Sequence, residues 1–234
     1  MFNLTRAWQS LNQTTIGNDA YWHIAVQNEA ALRDTLPLIR SFVKGITLDL
    51  GAGKLAWRAS LLSSAKTYHS ADFTPEHPDL DMLFDVTRPF PLESETFDSV
   101  FCYSVLEHTQ KPWLVLPEIH RILKPGGIAV ISVPFVFYLH GEPHDYFRFS
   151  KYGVAHLARE AGFSIETMTM NGGIFHFLMN MPSIVLSSIL FSLHCAPLIH
   201  PLTRLLCQCA HMLDRAFDPQ GRFTMNIIAV LKKK

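Results

Sequence analysis

A short apolar run that stops abruptly at glycines is the strongest constraint on the fold. In GITLDLGAG, Ile46, Leu48 and Leu50 precede Gly51 and Gly53, as in a buried parallel strand that ends in a tight turn. Six more strand-like segments follow, namely TYHSADF, MLFDV, FDSVFCYS, GIAVISVP, FSIETMTM and FTMNIIAVLKK. Helix-like segments such as WLVLPEIHRIL and SKYGVAHLAREAG lie between several of them. This alternation predicts an α/β fold with a mostly parallel sheet covered on both faces.

The glycines and acids that follow the first strands indicate a nucleoside-binding edge. Ligands of such sheets bind at the carboxyl ends of the strands, and Gly51 and Gly53 allow a close approach of the backbone. Asp72 ends the second strand about twenty residues after the loop, where a carboxylate can accept from both hydroxyls of a ribose. Asp49, next to the loop, would disfavour a pyrophosphate. The loop therefore suits a ligand that joins a ribose to a cationic amino or sulfonium group.

Taken in order, these motifs resemble those of a known family. LDLGAGK, ADF, FDVTRPFPLESETFDSVFCYSVLEH and EIHRILKPGG are similar to the class I S-adenosylmethionine-dependent methyltransferases of the type 11 kind, over residues 45–170 and the last strand. The resemblance implies a Rossmann-like, seven-stranded, mostly parallel sheet with an antiparallel last strand. It also implies methyltransferase activity with S-adenosylmethionine as cofactor. No NPPY-like tetrad follows the fourth strand, which disfavours methylation of DNA base amino groups.

The resemblance also implies roles for individual residues. Those expected near the methionine part are Asp49, Gly51 and Gly53; those near the ribose and adenine are Asp72, Phe73, Asp85 and Val86; the one expected beside the reactive methyl group is Tyr103. Alternatives remain at two of them: Asp85 can cap the turn before TRPFP, and Tyr103 can be an aromatic residue that closes the end of the sheet.

HGEPHDYFRFS, residues 140–150, is expected to line the acceptor side because it follows the fifth strand. If the acceptor is a hydroxyl group, a general base helps, and imidazole titrates near neutral pH. The candidates for catalysis are His144, His108 and Asp145, with His140 as a further candidate base. A structural alternative stays open, in which Arg148 pairs with Asp145 or with Glu142. Methylation at oxygen is favoured, and nitrogen and carbon acceptors stay open.

An apolar segment before the last strand is unexpected in such a core. Residues 167–203 contain no Asp, Glu, Lys or Arg, and a helix without a polar face is either buried or in a membrane. Pro182 and the marginal length disfavour a full span. The next segment predicts an amphipathic helix whose apolar face includes Leu198, Leu205 and Met212. The insert is then a lid or dimer interface, or a contact to a membrane from which a lipid-linked acceptor is collected.

Composition excludes several classes of function. The 20 basic and 20 acidic residues balance, so no nucleic-acid partner is expected. No signal peptide is expected at the N-terminus, and the four cysteines do not form a secreted disulfide framework, which favours the cytoplasm, with peripheral membrane contact open. Cys207 and Cys209 lack the spacing of a zinc pair, and no metal site is expected.

The predicted organisation has four segments: an N-terminal helical segment (1–44), an S-adenosylmethionine-binding core (45–171), an apolar helical insert (172–220), and the last strand with a basic tail (221–234). The predicted function is methyl transfer to a small-molecule or lipid-linked acceptor. The alternatives are a catalytically inactive cofactor-binding protein, or a membrane-associated interaction protein whose working part is the insert.

Overall fold

A seven-stranded sheet organises the computed structural model, which describes residues 3–234. Its order is β3-β2-β1-β4-β5-β7-β6. The strands are β1 (Ile46–Leu50), β2 (Thr67–Asp72), β3 (Met82–Leu83), β4 (Phe97–Tyr103), β5 (Leu123–Pro134), β6 (Phe163–Asn171) and β7 (Asn226–Lys233). β1 pairs in parallel with β2 and β4, whereas β7 runs antiparallel to β5. The predicted fold class is confirmed, including the antiparallel last strand.

Most of the helices lie in segments that the sequence predicts as helical. They are α1 (Leu4–Thr15), α2 (Val26–Phe42), α3 (Arg58–Leu62), α4 (Pro112–Ile122), α5 (Lys151–Glu160), α6 (Ile174–Ser192) and α7 (Ile199–Phe217). Ser150 caps α5 by accepting from the backbone N–H of Gly153. β3 is shorter than MLFDV suggests, and β5 starts at Leu123, before the predicted GIAVISVP.

The chain divides into two compact units. One contains Leu36–Thr169 and Asn226–Lys234, which include strands β1–β5 and β7 and helices α3–α5. The other combines the segment that ends at Thr35 with Met170–Met225, and therefore contains α1, α6 and α7. The N-terminal segment and the apolar insert, which were predicted as separate segments, pack together in this unit.

Polar side chains on α6 explain part of this packing. The hydroxyl of Ser183 accepts from the backbone N–H of Val26 at 3.0 Å, and the amide oxygen of Asn180 accepts from Gln27 N at 3.1 Å. Both α6 residues are buried. The first turn of a helix has N–H groups without partners inside the helix, so α6 caps the start of α2.

A second polar contact joins α6 to α7. The carboxylate of Asp214 accepts from the backbone N–H groups of Phe175 and His176, at 2.8 and 3.3 Å, and also contacts Nδ1 of His176. Nε2 of His176 lies 3.1 Å from the guanidinium of Arg33. Gly173 has no room for a side chain, because a Cβ atom there would lie 2.5 Å from Cγ of Asp214. Asp214 thus satisfies the N-terminus of α6.

α6 is also the one helix of the described chain that is long and apolar enough to cross a membrane. By itself this is weak evidence, because core helices of globular proteins have the same length and composition. Four large side chains at helical spacing on it are exposed: Leu178, Met181, Val185 and Ile189.

The predicted apolar face of α7 exists but does not form the buried side of the helix. Leu198, Leu205 and Met212 are 52%, 55% and 71% exposed. The buried residues are instead Ile199, Thr203, Cys207, Ala210 and Asp214. The periodicity therefore locates an apolar face that lies at the surface of this chain. The side that packs contains polar groups with partners, such as Asp214, and hydrophobicity alone does not reveal them.

Candidate functional site

The loop after β1 is held open by its glycines. Gly51 and Gly53 have φ angles of 76° and 51°, in the left-handed region. A Cβ atom at Gly51 would lie 2.2 Å from Cγ2 of Val105, whereas one at Gly53 would meet nothing within 4 Å. Gly51 is therefore required by close packing against Val105, two residues beyond the end of β4. Gly53 faces open space, which a ligand can fill.

The loop and the end of β2 are joined through Asp72. Its Oδ2 accepts from the backbone N–H of Gly53 at 2.8 Å, and its Oδ1 accepts from Phe73 N and Thr74 N at 2.7 and 3.2 Å. These bonds fix the orientation of the carboxylate at the carboxyl edge of the sheet. The Phe73 side chain next to it is 63% exposed, so a flat ring can pack against it.

Asp49 is a buried acid close to this edge. Its side chain accepts from the hydroxyl of Tyr68 at 2.9 Å, and the residue is 3% exposed. Burial raises the pKa of Asp49 to about 7, an effect that the Tyr68 bond opposes and the charge of Asp72 adds to. A cationic group placed beside Asp49 would favour its charged form.

Asp85 and Val86 follow β3. Asp85 accepts from both the backbone N–H and the hydroxyl of Thr87, at 2.9 and 2.7 Å. Although desolvation opposes it, these bonds and the charge of Arg88 lower the pKa of Asp85. The contacts are those of an acid that caps its own turn, and Val86 is buried beside it.

Aromatic rings close the end of β4. The ring of Tyr103 lies 4.9 Å from that of Trp57 and 5.9 Å from that of Phe101. Ser104 has a φ of 55°, which is unusual for a residue with a side chain. The backbone therefore turns sharply directly after the strand, beside the loop that contains Gly51.

The acceptor-side segment is tied down by Arg148. Its guanidinium donates to both oxygens of Asp145, at 2.5 and 2.8 Å, and to the carbonyl of Tyr138 at 2.9 Å. Asp145 Oδ2 also accepts from the backbone N–H of His140. The bonds from Arg148 hold the pKa of Asp145 well below its usual range, although burial opposes them, and the bond from His140 adds a smaller effect in the same direction. Of the two pairings left open, Arg148 adopts the one with Asp145.

The predicted bases lie in one cluster. His108 Nδ1 contacts the carbonyl oxygen of His144 at 2.5 Å, and His144 Nδ1 lies 2.9 Å from the hydroxyl of Tyr146. Tyr146 in turn donates its backbone N–H to the carbonyl oxygen of Glu107 at 2.8 Å. The segment that follows β5 is thereby joined to the short 3-10 helix Leu106–His108 that follows β4.

Glu107 is not among the residues that the sequence singles out. Its side chain is completely buried, with 0% exposure, and Nε2 of both His108 and His140 lies 3.9 Å from its Oε1. The signal in the sequence is an acid and a histidine side by side directly after a strand, in LEH. That signal does not predict that the carboxylate is buried.

Part of the chain is similar in sequence to known methyltransferases. Residues 48–131 match the family model of a methyltransferase domain. A ubiquinone biosynthesis O-methyltransferase of Thiobacillus denitrificans is 31% identical over 155 residues, which are 59% of this chain and 62% of the relative. The matched region thus spans less than two thirds of that relative.

Two solved structures share the architecture. A 4+2 cyclase superposes with a TM-score of 0.62 at 17% identity, over 98% of this chain and 92% of the other. The 1,6-didemethyltoxoflavin-N1-methyltransferase of Burkholderia thailandensis, solved with 1,6-didemethyltoxoflavin and S-adenosylhomocysteine, gives a TM-score of 0.55 at 17% identity, over 98% and 88%. At such identities the likeness shows the fold alone.

The strand order and the glycine loop joined to Asp72 are those of a class I methyltransferase fold, and residues 48–131 match the model of a methyltransferase domain. Within that fold, residues 48–131 are similar to the type 11 methyltransferase-domain family. The resemblance inferred from the ordered motifs is confirmed.

Proposed function

We propose that this protein transfers a methyl group from S-adenosylmethionine to an oxygen atom of a small-molecule acceptor. The observation that carries the proposal is the arrangement of Asp49, Gly53 and Asp72 at the carboxyl edge of the sheet. It combines a fixed carboxylate, open space above a glycine and a buried acid that a cation would ionise. A catalytically inactive cofactor-binding protein would share these features, so turnover needs a separate test.

The residues present fit the cofactor. Asp72 would accept from the ribose hydroxyls, with Phe73 against the adenine, and Asp85 and Val86 would lie at the adenine edge. Asp49 would compensate the positive charge of the methionine part, next to Gly51 and Gly53, with Tyr103 beside the reactive methyl group. When bound, S-adenosylmethionine supplies an electrophilic methyl group on a sulfonium. The protein's part is to orient the acceptor in line and to take its proton.

We assign the proton-accepting role to His144. His144 is exposed, and its Nδ1 lies 2.9 Å from the hydroxyl of Tyr146, so the imidazole is held by one contact and an acceptor can still reach it. Asp145 is a positioning residue, because Arg148 holds both of its oxygens. The expected result for His144→Gln is a lower kcat with an unchanged affinity for S-adenosylhomocysteine. Wild-type kcat in this variant at every pH would remove His144 from the mechanism.

Cofactor binding is tested by calorimetric titration with S-adenosylhomocysteine. Asp72→Asn should weaken binding by about tenfold or more, because the charged acceptor for the ribose is lost. Asp79→Asn is the matched control, because Asp79 is an exposed acid whose carboxylate pairs with Arg58. Equal affinities in the three proteins would contradict the assignment.

The relative from Thiobacillus denitrificans, whose name assigns it to ubiquinone biosynthesis, favours a phenolic acceptor. We propose that the acceptor contains such a hydroxyl and an apolar chain. Labelled S-adenosylmethionine is supplied with a matched pair of catechols, one short and one with a long apolar chain. Faster labelling of the second supports a lipid-linked acceptor, equal rates support a small soluble one, and labelling of neither in a protein that binds the cofactor would favour the inactive alternative.

The exposed apolar residues of α6 and α7 support a second proposal, peripheral contact with a membrane. Leu178, Met181 and Val185 on α6 and Leu205 and Met212 on α7 are all at the surface. Helices that expose an apolar face bind at the interface of a bilayer. Co-sedimentation with phosphatidylcholine and phosphatidylglycerol vesicles should fall in Leu205→Ser/Met212→Ser. A dimer without vesicle binding would assign these faces to a second copy instead.

A further inference from the structure

Glu107 is a buried carboxylate without a hydrogen-bond partner. Its side chain is 0% exposed, and neither oxygen has a partner within residues 3–234. An isolated carboxylate in the interior is costly, and it is normally paired, protonated or bound to a metal ion. One of these partners is therefore expected beside Glu107.

Two imidazoles face this carboxylate through the same ring atom. Nε2 of His108 and Nε2 of His140 each lie 3.9 Å from Oε1 of Glu107. The two rings are 4.8 Å apart between centroids. A distance of 3.9 Å is too long for a hydrogen bond. One ligand atom from each of the three residues lies within 4.8 Å of the others.

The opposite ring nitrogens are already engaged. Nδ1 of His108 contacts the carbonyl oxygen of His144 at 2.5 Å, and Nδ1 of His140 contacts that of Tyr138 at 3.2 Å. A carbonyl accepts a proton from Nδ1, which leaves Nε2 with a lone pair. Histidines that bind metals are commonly oriented by such a bond from the other nitrogen to a carbonyl or carboxylate. Asp145, which accepts from His140 N at 2.9 Å, adds a carboxylate to this outer layer.

We propose that Glu107, His108 and His140 bind a divalent transition-metal ion of the zinc type. Two imidazoles and one carboxylate are a ligand set of catalytic zinc sites, which keep a fourth position for water or a substrate oxygen. Ligand atoms around a tetrahedral zinc ion are about 3.3 Å apart at the usual bond lengths. The ligand atoms of the three side chains lie from 3.9 Å to at most 4.8 Å apart. They therefore need to approach one another by about 0.6 to 1.5 Å. The site itself does not depend on the proposed methyl transfer; only the use of its open position by an acceptor hydroxyl does.

The other group of this kind in the described chain is less suited to a metal ion. That group consists of His23, Glu29 and His200. Nδ1 of His23 already contacts the Glu29 carboxylate, and the two imidazole rings stack with their centroids 3.8 Å apart. Its carboxylate therefore has a partner. The group around Glu107 is the one with a buried acid that lacks one, and it lies where two segments that follow β4 and β5 meet.

A proton is the rival occupant of the site. Burial lowers the pKa of His140, but Glu107 and the Tyr138 carbonyl oppose this effect and the net change is upward. A protonated imidazole beside Glu107 would offset its charge without a metal. A metal ion displaces such a proton when the three ligands can close around it, so a site that only a proton occupies is recognised by the absence of Co²⁺ binding.

The test uses Co²⁺ as a coloured probe for the zinc type. Purified full-length protein is freed of metal with a chelator and titrated with Co²⁺ at neutral pH, and visible absorption is recorded. We expect ligand-field bands typical of a four- or five-coordinate site, saturation at one ion per chain, and displacement by Zn²⁺. Absence of these bands, or binding by exposed histidines alone, would overturn the proposal.

Variants locate the ion. His140→Ala, in a surface segment, should lower Co²⁺ affinity by more than about 100-fold, and Asp145→Asn by about 10- to 100-fold through the orientation of His140. Glu107→Gln should also abolish the bands, but it alters a buried group, so circular dichroism confirms its fold. His156→Ala, an exposed histidine on α5, and His23→Ala are the controls and should retain them. Loss of the bands in His23→Ala rather than in His140→Ala would assign the ion elsewhere and refute the site.

The measurement is independent of methyl transfer. Calorimetry with S-adenosylhomocysteine is performed on the same samples. Cofactor binding without Co²⁺ binding would overturn the metal site and leave the proposed function intact. Co²⁺ binding without cofactor binding would do the reverse.

Discussion

Replacement of Asp49 by Asn should increase stability relative to the wild type, and this gain should grow as the pH rises, because only the wild type loses stability there. Burial raises the pKa of Asp49 to about 7 from an ordinary value of 3.8. Between these values the folded chain keeps a proton that the unfolded chain has lost, so the free energy of unfolding decreases as the pH rises. The decrease ends near pH 7, above which both states are ionised.

The magnitude follows from the two pKa values. Each pH unit between them costs about 1.4 kcal/mol, and the interval from about pH 5 to pH 7 therefore accounts for about 3 kcal/mol. Asn cannot ionise, so Asp49→Asn escapes this cost. Its amide has its own cost of about 1–3 kcal/mol where an N–H lacks an acceptor, but that cost does not change with pH.

The assay is urea unfolding of both proteins at about pH 5 and about pH 9, where Asp49 passes from mostly protonated to mostly ionised. Relative to wild type, the variant should gain about 3 kcal/mol between the two conditions. Asp98→Asn is the control. Although desolvation opposes it, bonds from Ile46 N and Lys124 lower the pKa of Asp98, so its stabilising effect is lost only at pH values below this range. A constant difference between Asp49→Asn and wild type would refute the burial argument.

Three further predictions follow from local geometry. Gly51→Ala should destabilise the protein by about 2 kcal/mol or more in urea unfolding and weaken cofactor binding, because its Cβ would lie 2.2 Å from Val105; a fully stable variant would mean that the loop adapts. Asp214→Asn should cost about 1–3 kcal/mol of unfolding free energy, since it weakens the cap of α6, and a cost near zero would contradict that role. A thiol reagent followed by mass spectrometry should label exposed Cys209 well before Cys102, because burial raises the pKa of the Cys102 thiol; the reverse order would show that β4 opens readily.

The sequence predicts the sheet, and the meeting of Gly53 with Asp72 at its edge, for a physical reason. Strands such as β1 end at glycines, and the carboxyl ends of parallel strands meet at one edge, so Gly53 and Asp72 are brought together by topology alone. The spacing of one helix or strand does not show which distant segment it packs against. Hence neither the pairing of α2 with Asn180 nor the orphaned carboxylate of Glu107 could be predicted.

The buried side of α7 could not be predicted from its sequence for a similar reason. Periodicity locates an apolar face, and the usual inference is that this face is buried. In α7 the packed side instead contains Thr203 and Asp214, while Leu205 and Met212 are exposed. Asp214 can be buried there because its hydrogen bonds to the N-terminus of α6 compensate its desolvation. Such compensation depends on partners about forty residues away.

The interleaved order of the two units has a consequence for biosynthesis. The start of α2 depends on Ser183, 157 positions later in the chain, and the amide of Asn171 binds the carbonyl of Ala30, 141 positions earlier. The sheet likewise needs β7, Asn226–Lys233, to pair with β5. Contacts of such sequence separation form slowly. During translation, helices α1 and α2 therefore leave the ribosome long before their partners exist, and their apolar sides remain available to chaperones until most of the chain has been made.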